Sequence, residues 1–156
     1  MIQRVQSIYL FLVFILISIT VFLPVIGFQA GDQVFYMSIF RFDGVENISF
    51  VEKLPNIWPL PILSAILGIT SLLSLFRYHN RRQQLMLNMF NLLINFGLLI
   101  SILFYADFIA KFAEVNDKVE YQIAAYFPII TVALIILANR NIRKDDNLVK
   151  ESDRLR

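Results

Sequence analysis

Four long apolar stretches divide this chain, and polar or charged connections separate them. The stretches cover residues 7–28, 57–76, 85–106 and 121–138, and none of them contains Lys or Arg. Each holds about 18 to 22 residues, so a helix rising ~1.5 Å per residue would cross the ~30 Å hydrocarbon core of a bilayer. The pattern predicts an all-α membrane protein, a bundle of four transmembrane helices in a single integral membrane domain over residues 1–156.

The ends of the stretches carry residues typical of span boundaries. Pro24 is expected to end or kink the first helix, and Trp58 with Pro59 opens the second stretch, where a first-turn Pro costs no hydrogen bond. The first stretch is too long for a usual signal-peptide core, so we expect an uncleaved anchor. No Gly or Pro follows Ala138. The last helix should therefore continue into a helical tail over residues 139–156.

The first connection, residues 29–56, is the candidate for structure outside the spans. Segments 34–42 and 45–51 are rich in β-formers, and Asp43-Gly44 between them is a preferred pair for a two-residue turn. The sequence predicts a small β-hairpin here, with Arg41 opposite Glu46. Whether this hairpin packs on the protein's own helices or on a partner is left open.

The 14 Lys and Arg residues are distributed unequally between the two sides of the predicted bundle. Lys/Arg bias in short connections sets the orientation of a membrane protein. One side has four: Arg41, Lys53, Lys111 and Lys118. The other side has the rest: Arg4, Arg77, Arg81, Arg82, Arg140, Arg143, Lys144, Lys150, Arg154 and Arg156. Both termini are therefore predicted to be cytoplasmic, the hairpin to be periplasmic, and the protein to lie in a bacterial inner membrane.

Composition supports the membrane class and narrows the chemistry. Apolar residues make up 58% of the chain, charged residues 17%, and Cys is absent. The lack of Cys excludes disulfides, thiolate metal sites and lipid-modified cysteines. No Asp, Glu, Lys, Arg or His falls inside the four stretches, whereas pumps and transporters usually have such residues within their spans. We expect no cofactor, no metal site, no catalytic residues and no nucleic-acid partner.

One polar pattern lies within a span. Gln84, Asn88, Asn91 and Asn95 fall at i, i+4, i+7 and i+11, so they share one helical face; we call them the amide line. Our main interpretation is a polar helix-packing seam in which Asn88, Asn91 and Asn95 bond to hydroxyls of the second span. The candidate hydroxyl residues are Ser64, Thr70, Ser71 and Ser74. The alternatives are a polar lining for a transport path and a contact with another subunit.

Basic residues near the predicted cytoplasmic face are candidates for contact with anionic lipid headgroups or with a partner. They are Arg77, Arg81, Arg82, Arg140, Arg143 and Lys144. His79 lies among them without a second candidate metal ligand, so we expect an interfacial surface residue.

The two ends of the chain have the most distinctive sequence. The start, Met1-Ile2-Gln3-Arg4-Val5-Gln6, and the close, from Leu137-Ala138-Asn139-Arg140 to Asp153-Arg154-Leu155-Arg156, resemble a family of small four-span membrane proteins of Gram-negative bacteria. That family is known as a domain of unknown function. The resemblance implies an inner-membrane location and a four-span fold, and it implies no activity or substrate.

Two functional interpretations remain. The first is an accessory or assembly subunit of a larger membrane complex, with a membrane-protein partner and an undetermined oligomeric state. The alternative is a small oligomeric transporter or channel lined by the Asn face of span three.

Overall fold

The computed structural model describes residues 3–30, 33–44, 56–78, 80–112 and 119–154. Most of these residues are helical. The four long helices are α1 (Gln3–Phe22), α2 (Pro59–Phe76), α3 (Arg81–Phe112) and α4 (Ile123–Arg154). Each contains a segment long and apolar enough to cross a membrane. The prediction of a mostly helical chain with four such helices is confirmed.

Local sequence explains several helix ends. Pro24 follows α1 closely and cannot continue the helical hydrogen bonding. Helix α2 begins with Pro59 and Pro61, at positions where the missing N–H would have no helical partner. At the start of α3, Asn80 Oδ1 accepts a hydrogen bond from the Gln83 N–H at 3.3 Å. Only a short turn joins the end of α2 to the start of α3, so the two helices are antiparallel neighbours.

The helices form a ring in which α1 packs on α2 and α4, and α3 packs on the other sides of the same two helices. Successive helices run in opposite directions, as in an up-down-up-down bundle. We call one end of the bundle the tail end. It holds the start of α1, the end of α2, the start of α3 and the C-terminal part of α4. The opposite end is the sheet end, because a small sheet lies there.

Within the described residues, that sheet has four antiparallel strands. In chain order they are β1 (Pro24–Ala30), β2 (Gln33–Ser38), β3 (Phe42–Asp43) and β4 (Val119–Tyr121). Their spatial order is β3-β2-β1-β4. Strand β1 follows α1 directly, and β4 leads into α4, so the sheet joins the two helices. Structure in the first connection was predicted, and the sheet confirms it in this coarse form.

One face of the sheet packs on the helices. Ile26 pairs with Met37 and Phe28 with Phe35, so these four side chains point to the same side. All four are buried, and the Phe28 and Phe35 rings stack with centroids 5.1 Å apart. They join one hydrophobic cluster with Leu67 and other helix residues. The sheet is thus part of the same core as the helices at this end.

The predicted first strand, residues 34–42, is wrong in its extent, because β2 ends at Ser38 and Phe42 already pairs back with Met37. The predicted turn at Asp43-Gly44 leads into residues outside the described part of the chain and stays a prediction. Asp43 pairs with Tyr36 inside the sheet, and the chain reverses earlier, where the Ser38 N–H donates to the Arg41 carbonyl at 2.8 Å. The predicted second strand, residues 45–51 with Glu46, lies outside the described residues.

Burial and local pairing explain the earlier reversal. Ile39 at the turn is fully buried, which keeps the apolar side of β2 on the core through its last residues. The Asp43 carboxylate accepts a hydrogen bond from the Ser38 hydroxyl at 3.3 Å and pairs with Arg41 at 2.8 Å. These contacts hold the reversal at Ser38–Arg41, within the segment that was predicted as one strand.

The helix limits also differ from the predicted span limits. Residues 24–28 were assigned to the first span and belong to β1 instead, since Pro24 ends the helical pattern and the chain then enters the sheet. Helix α3 extends past Ala106 to Phe112. Helix α4, by contrast, runs through the segment predicted as its helical tail and ends at Arg154. Strand β4 was not predicted.

Candidate functional site

The amide line lies in the interior of the bundle. Gln84, Asn88, Asn91 and Asn95 of α3 are all fully buried, as their shared helical face predicts. An amide in an apolar interior needs hydrogen-bond partners, since an unpaired one costs about 1–3 kcal/mol. The partners of these four side chains therefore determine what the interior of the protein can do.

Two of the amides bond to α2. Ser74 Oγ donates to Asn88 Oδ1 at 2.6 Å, and Asn91 Nδ2 donates to Ser71 Oγ at 3.4 Å. Thr70 Oγ1 also donates to Asn91 Oδ1. The geometry that the seam interpretation requires is present between α2 and α3 for these two asparagines and for Ser71.

Ser64 has a different partner from the one proposed for it. Its hydroxyl donates to the Pro61 carbonyl of the same helix at 3.0 Å. The pairing of Ser74 with Asn88 sets the register of α2 and α3, and in that register Ser64 lies level with Leu98, beyond the last amide. Ser64 is buried but has no amide beside it.

Asn95 bonds to α4, a partner that sequence reasoning missed. Its Nδ2 donates to Thr131 Oγ1 at 2.6 Å and to the Pro128 carbonyl at 3.1 Å, and the Thr131 hydroxyl donates to the same carbonyl at 2.8 Å. A signal existed, because Thr131 is the single Ser or Thr from Ile123 to Ala138. The amide line thus ties α3 to both of its neighbours.

Nearer the tail end, polar side chains from all four helices lie near one level. Asn95 lies level with Thr131 and Arg81 with Asp145, which fixes the register of α3 and α4. The same register places Asn88 beside Asn139. A Cβ at Gly68 of α2 would contact the ring of Phe14 of α1 at 3.9 Å. Because α1 and α2 are antiparallel, this contact brings Gln6 of α1 near the level of Ser74 of α2. The interior at the tail end is therefore polar.

Several of these amide atoms are buried without a hydrogen-bond partner in the part of the chain described here. The atoms are Gln6 Oε1, Gln84 Oε1, Gln84 Nε2, Asn88 Nδ2, Asn95 Oδ1 and Asn139 Oδ1. All but one belong to the polar level at the tail end. Gln6 and Asn139 were not predicted as interior residues, although Gln6 shares helical spacing with the buried Leu10, Val13 and Ile17.

The basic candidate residues surround the tail end. Arg81 Nη1 donates to the Asp145 carbonyl at 2.9 Å, and Arg77 Nη1 donates to Gln83 Oε1 at 2.8 Å. The remaining four have exposed side chains: Arg82, Arg140, Arg143 and Lys144. His79 lies outside the described residues. The start of α3 and the C-terminal part of α4 therefore carry neighbouring basic groups.

At the opposite end, the outer face of the sheet exposes apolar side chains. Val34 and Tyr36 alternate with the buried Phe35, so they point away from the helices. The Tyr36 ring lies across Gly27, where an added Cβ would come within 3.2 Å of it. Phe40 is exposed in the following turn. We call Val34, Tyr36 and Phe40 the sheet patch.

Within residues 3–30, 33–44, 56–78, 80–112 and 119–154, no group of three His, Asp or Glu side chains could hold a metal ion. Among known families, the model described as Domain of unknown function (DUF4293) matches residues 2–155. No curated protein matches the sequence.

Proposed function

This chain belongs to the DUF4293 family, and we propose that it is an integral membrane protein that serves as an accessory or assembly subunit of a larger membrane complex. It lies in a bacterial inner membrane with the tail end in the cytoplasm and the sheet on the periplasmic side. The partner binds at the sheet patch.

Helix length, composition and charge support this placement. The four apolar segments are 18 to 31 residues long, which suits a ~30 Å hydrocarbon core. Arg77, Arg82, Arg140 and Arg143 border the tail end, and Lys/Arg excess is typical of the cytoplasmic side.

The sheet patch is the observation that carries the proposal of a partner. Val34 is 45% exposed, Tyr36 38% and Phe40 54%. Lipid covers exposed apolar residues on membrane helices, but these three lie in strands and a turn that follow the end of α1. Exposed apolar groups in such a position are typical of a protein-binding surface.

Acidic groups near the patch indicate the chemistry of the partner. Asp43 pairs with Tyr36 across the sheet, and Glu120 pairs with Gly27, over which the Tyr36 ring lies. Cross-strand partners point to the same face, so both carboxylates flank the patch. Asp43 is already paired with Arg41, which leaves Glu120 as the acidic group that a partner with an apolar contact surface and a basic side chain at its rim would meet.

The interior favours a structural role for the amide line over a transport path. Asn91 bonds to Thr70 and Ser71 on α2, while Asn95 bonds to Thr131 on α4. Interhelical bonds of this kind contribute about 0.6–2 kcal/mol each in membranes. The two asparagines deepest in the bundle therefore hold the helices together, which suits a subunit that acts through its surfaces.

A photo-crosslinking residue placed at Val34, Tyr36 or Leu93 tests the proposal in native membranes. Leu93 is 70% exposed on α3 and serves as the matched lipid-facing control. We expect the chain to resist carbonate extraction, and we expect positions 34 and 36 to capture one and the same membrane protein. Position 93 should yield lipid adducts instead.

Disruption of the same face provides the complementary measurement. The double variant V34K/Y36K should lose the captured protein from detergent-purified complexes while its amount in the membrane stays unchanged, since both residues point away from the core. Recovery of only the free chain from positions 34 and 36, in native membranes and in two detergents, would contradict the proposed subunit role.

A further inference from the structure

We propose that the groove between α3 and α4 at the tail end is a binding site for one anionic phospholipid. The proposal rests on the membrane placement argued above. The groove encloses about 310 Å³, which is large enough for part of a lipid and its head group. Its walls are Met89 and Leu92 of α3 and Ile136, Asn139, Arg140 and Arg143 of α4.

The order of residues along the groove matches the order of groups along a phospholipid. Ile136, Arg140 and Arg143 are at i, i+4 and i+7, so they share one face of α4. Arg143 lies seven residues, about 10 Å, closer to the tail end than Ile136. Met89 and Leu92 line the part of the groove near Ile136, farther from the tail end than the two arginines. Acyl chain and glycerol would therefore contact the apolar walls, and the phosphate would lie beside the two guanidinium groups.

The two arginines are available for a ligand. Both side chains are exposed, and neither forms an ion pair with any carboxylate that the structure describes. A guanidinium can bind phosphate oxygens through two parallel hydrogen bonds, which a lysine cannot match. Asn139 adds an amide to the wall. Basic pockets between helices on the cytoplasmic side are typical sites for anionic lipids.

A second groove lies between α2 and α3, and it is a weaker candidate for the anionic phospholipid. It encloses about 260 Å³ and is lined by Leu73, Arg77, Gln83, Met86 and Leu87. Its single arginine, Arg77, already donates to Gln83 Oε1. One guanidinium that is already hydrogen-bonded has fewer donors left for a phosphate than two that pair with no described carboxylate, so this groove is expected to hold ordinary exchangeable lipid.

The test uses the full chain, purified in a mild detergent and titrated with phosphatidylglycerol or with phosphatidylcholine of the same acyl chains. Native mass spectrometry counts the lipids that remain bound. We expect one phosphatidylglycerol to bind with at least tenfold preference. Variant R140Q/R143Q should weaken that binding by about 30-fold, since each basic residue contributes roughly a factor of five at a membrane surface.

The matched control is R82Q/K144Q, which removes two positive charges from exposed residues at the same end but outside the groove. This variant should retain nearly all of the preference. Equal weakening in both double variants would show a general charge effect and would overturn the site. A photo-crosslinker at Met89 that captures a protein in place of lipid would overturn it as well.

The failure of this site and the failure of the proposed function give different results. Release of the chain by carbonate would remove both proposals. A chain that stays in the membrane and keeps its partner at the sheet patch, but binds both lipids equally, would remove only the lipid site.

Discussion

The two ends of the bundle fill their interiors in different ways. At the sheet end, Phe28, Met37, Leu67, Leu98 and Ile109 belong to one continuous apolar cluster. At the tail end, Gln6, Ser74, Gln84, Asn88 and Asn139 occupy the interior, with buried apolar residues such as Leu10 and Ile142 among them. The same four helices therefore enclose an apolar core at one end and a polar one at the other.

The difference matches what each end is built from. Apolar burial stabilises a structure when it removes surface from water, and the strands of the sheet end, which in our proposal lie outside the bilayer, add apolar surface of that kind to the core. Within a bilayer, lipid is as apolar as a Leu side chain, so helices associate through close packing and hydrogen bonds. The apolar core should therefore dominate stability, with the amide line making a smaller and position-dependent contribution.

The largest effect is expected from Phe28→Ala. Phe28 is fully buried and stacks on Phe35 within the sheet, so the truncation leaves a cavity between sheet and helices. The free energy of unfolding should fall by about 3–5 kcal/mol. Steric trapping or titration with a denaturing detergent measures the change.

Val34→Ala is the matched control for Phe28→Ala, because Val34 lies in the same sheet on the exposed face. It should change the free energy of unfolding by about 0.5 kcal/mol or less. A similar loss in both variants would mean that the buried face of the sheet is not part of the core, and the contrast between the two ends would then disappear.

Asn95→Leu should have an intermediate effect. It removes the bonds from Asn95 Nδ2 to Thr131 and to the Pro128 carbonyl, while Thr131 keeps its own bond to Pro128. We expect a loss of about 0.6–2 kcal/mol. A double-mutant cycle with Thr131→Val isolates the pair, and the second substitution should cost little once Asn95 is gone. Full additivity of the two changes would show that the side chains do not interact.

The sequence was a sufficient guide to the helices and to the shared face of the amides. Long apolar stretches without Lys or Arg have few alternatives to a helix, and the spacing from Gln84 to Asn95 depends only on helical periodicity. Both properties are local, and the structure has four apolar helices with the four amides buried together.

Pairings between distant segments could not be predicted in the same way. The turn at Ser38–Arg41 depends on burial of Ile39 under helices that are remote in sequence. Strand β4 has three residues and pairs with β1 from about ninety positions away, as in Gly27 with Glu120. The partner of Asn95 depended on which helix packs beside α3. The sequence predicts hydroxyls of α2 as that partner, whereas the structure places Thr131 of α4 beside Asn95.

The smallest effect is expected from Gln84→Met, and it tests the tail end most directly. Gln84 is fully buried, and neither polar atom of its side chain has a hydrogen-bond partner among the described residues. Met has a similar length and no amide, so the substitution removes a desolvation cost and breaks no observed bond. The free energy of unfolding should stay within about 0.5 kcal/mol of the original value or rise by up to ~1 kcal/mol.

Asn88→Leu, which removes the bond from Ser74 at the same level, should instead be destabilising. A loss for Gln84→Met as large as that for Asn95→Leu would show that Gln84 is hydrogen-bonded in the folded protein. The tail end would then still differ from the sheet end in having polar residues in its interior, but those residues would no longer lack hydrogen-bond partners.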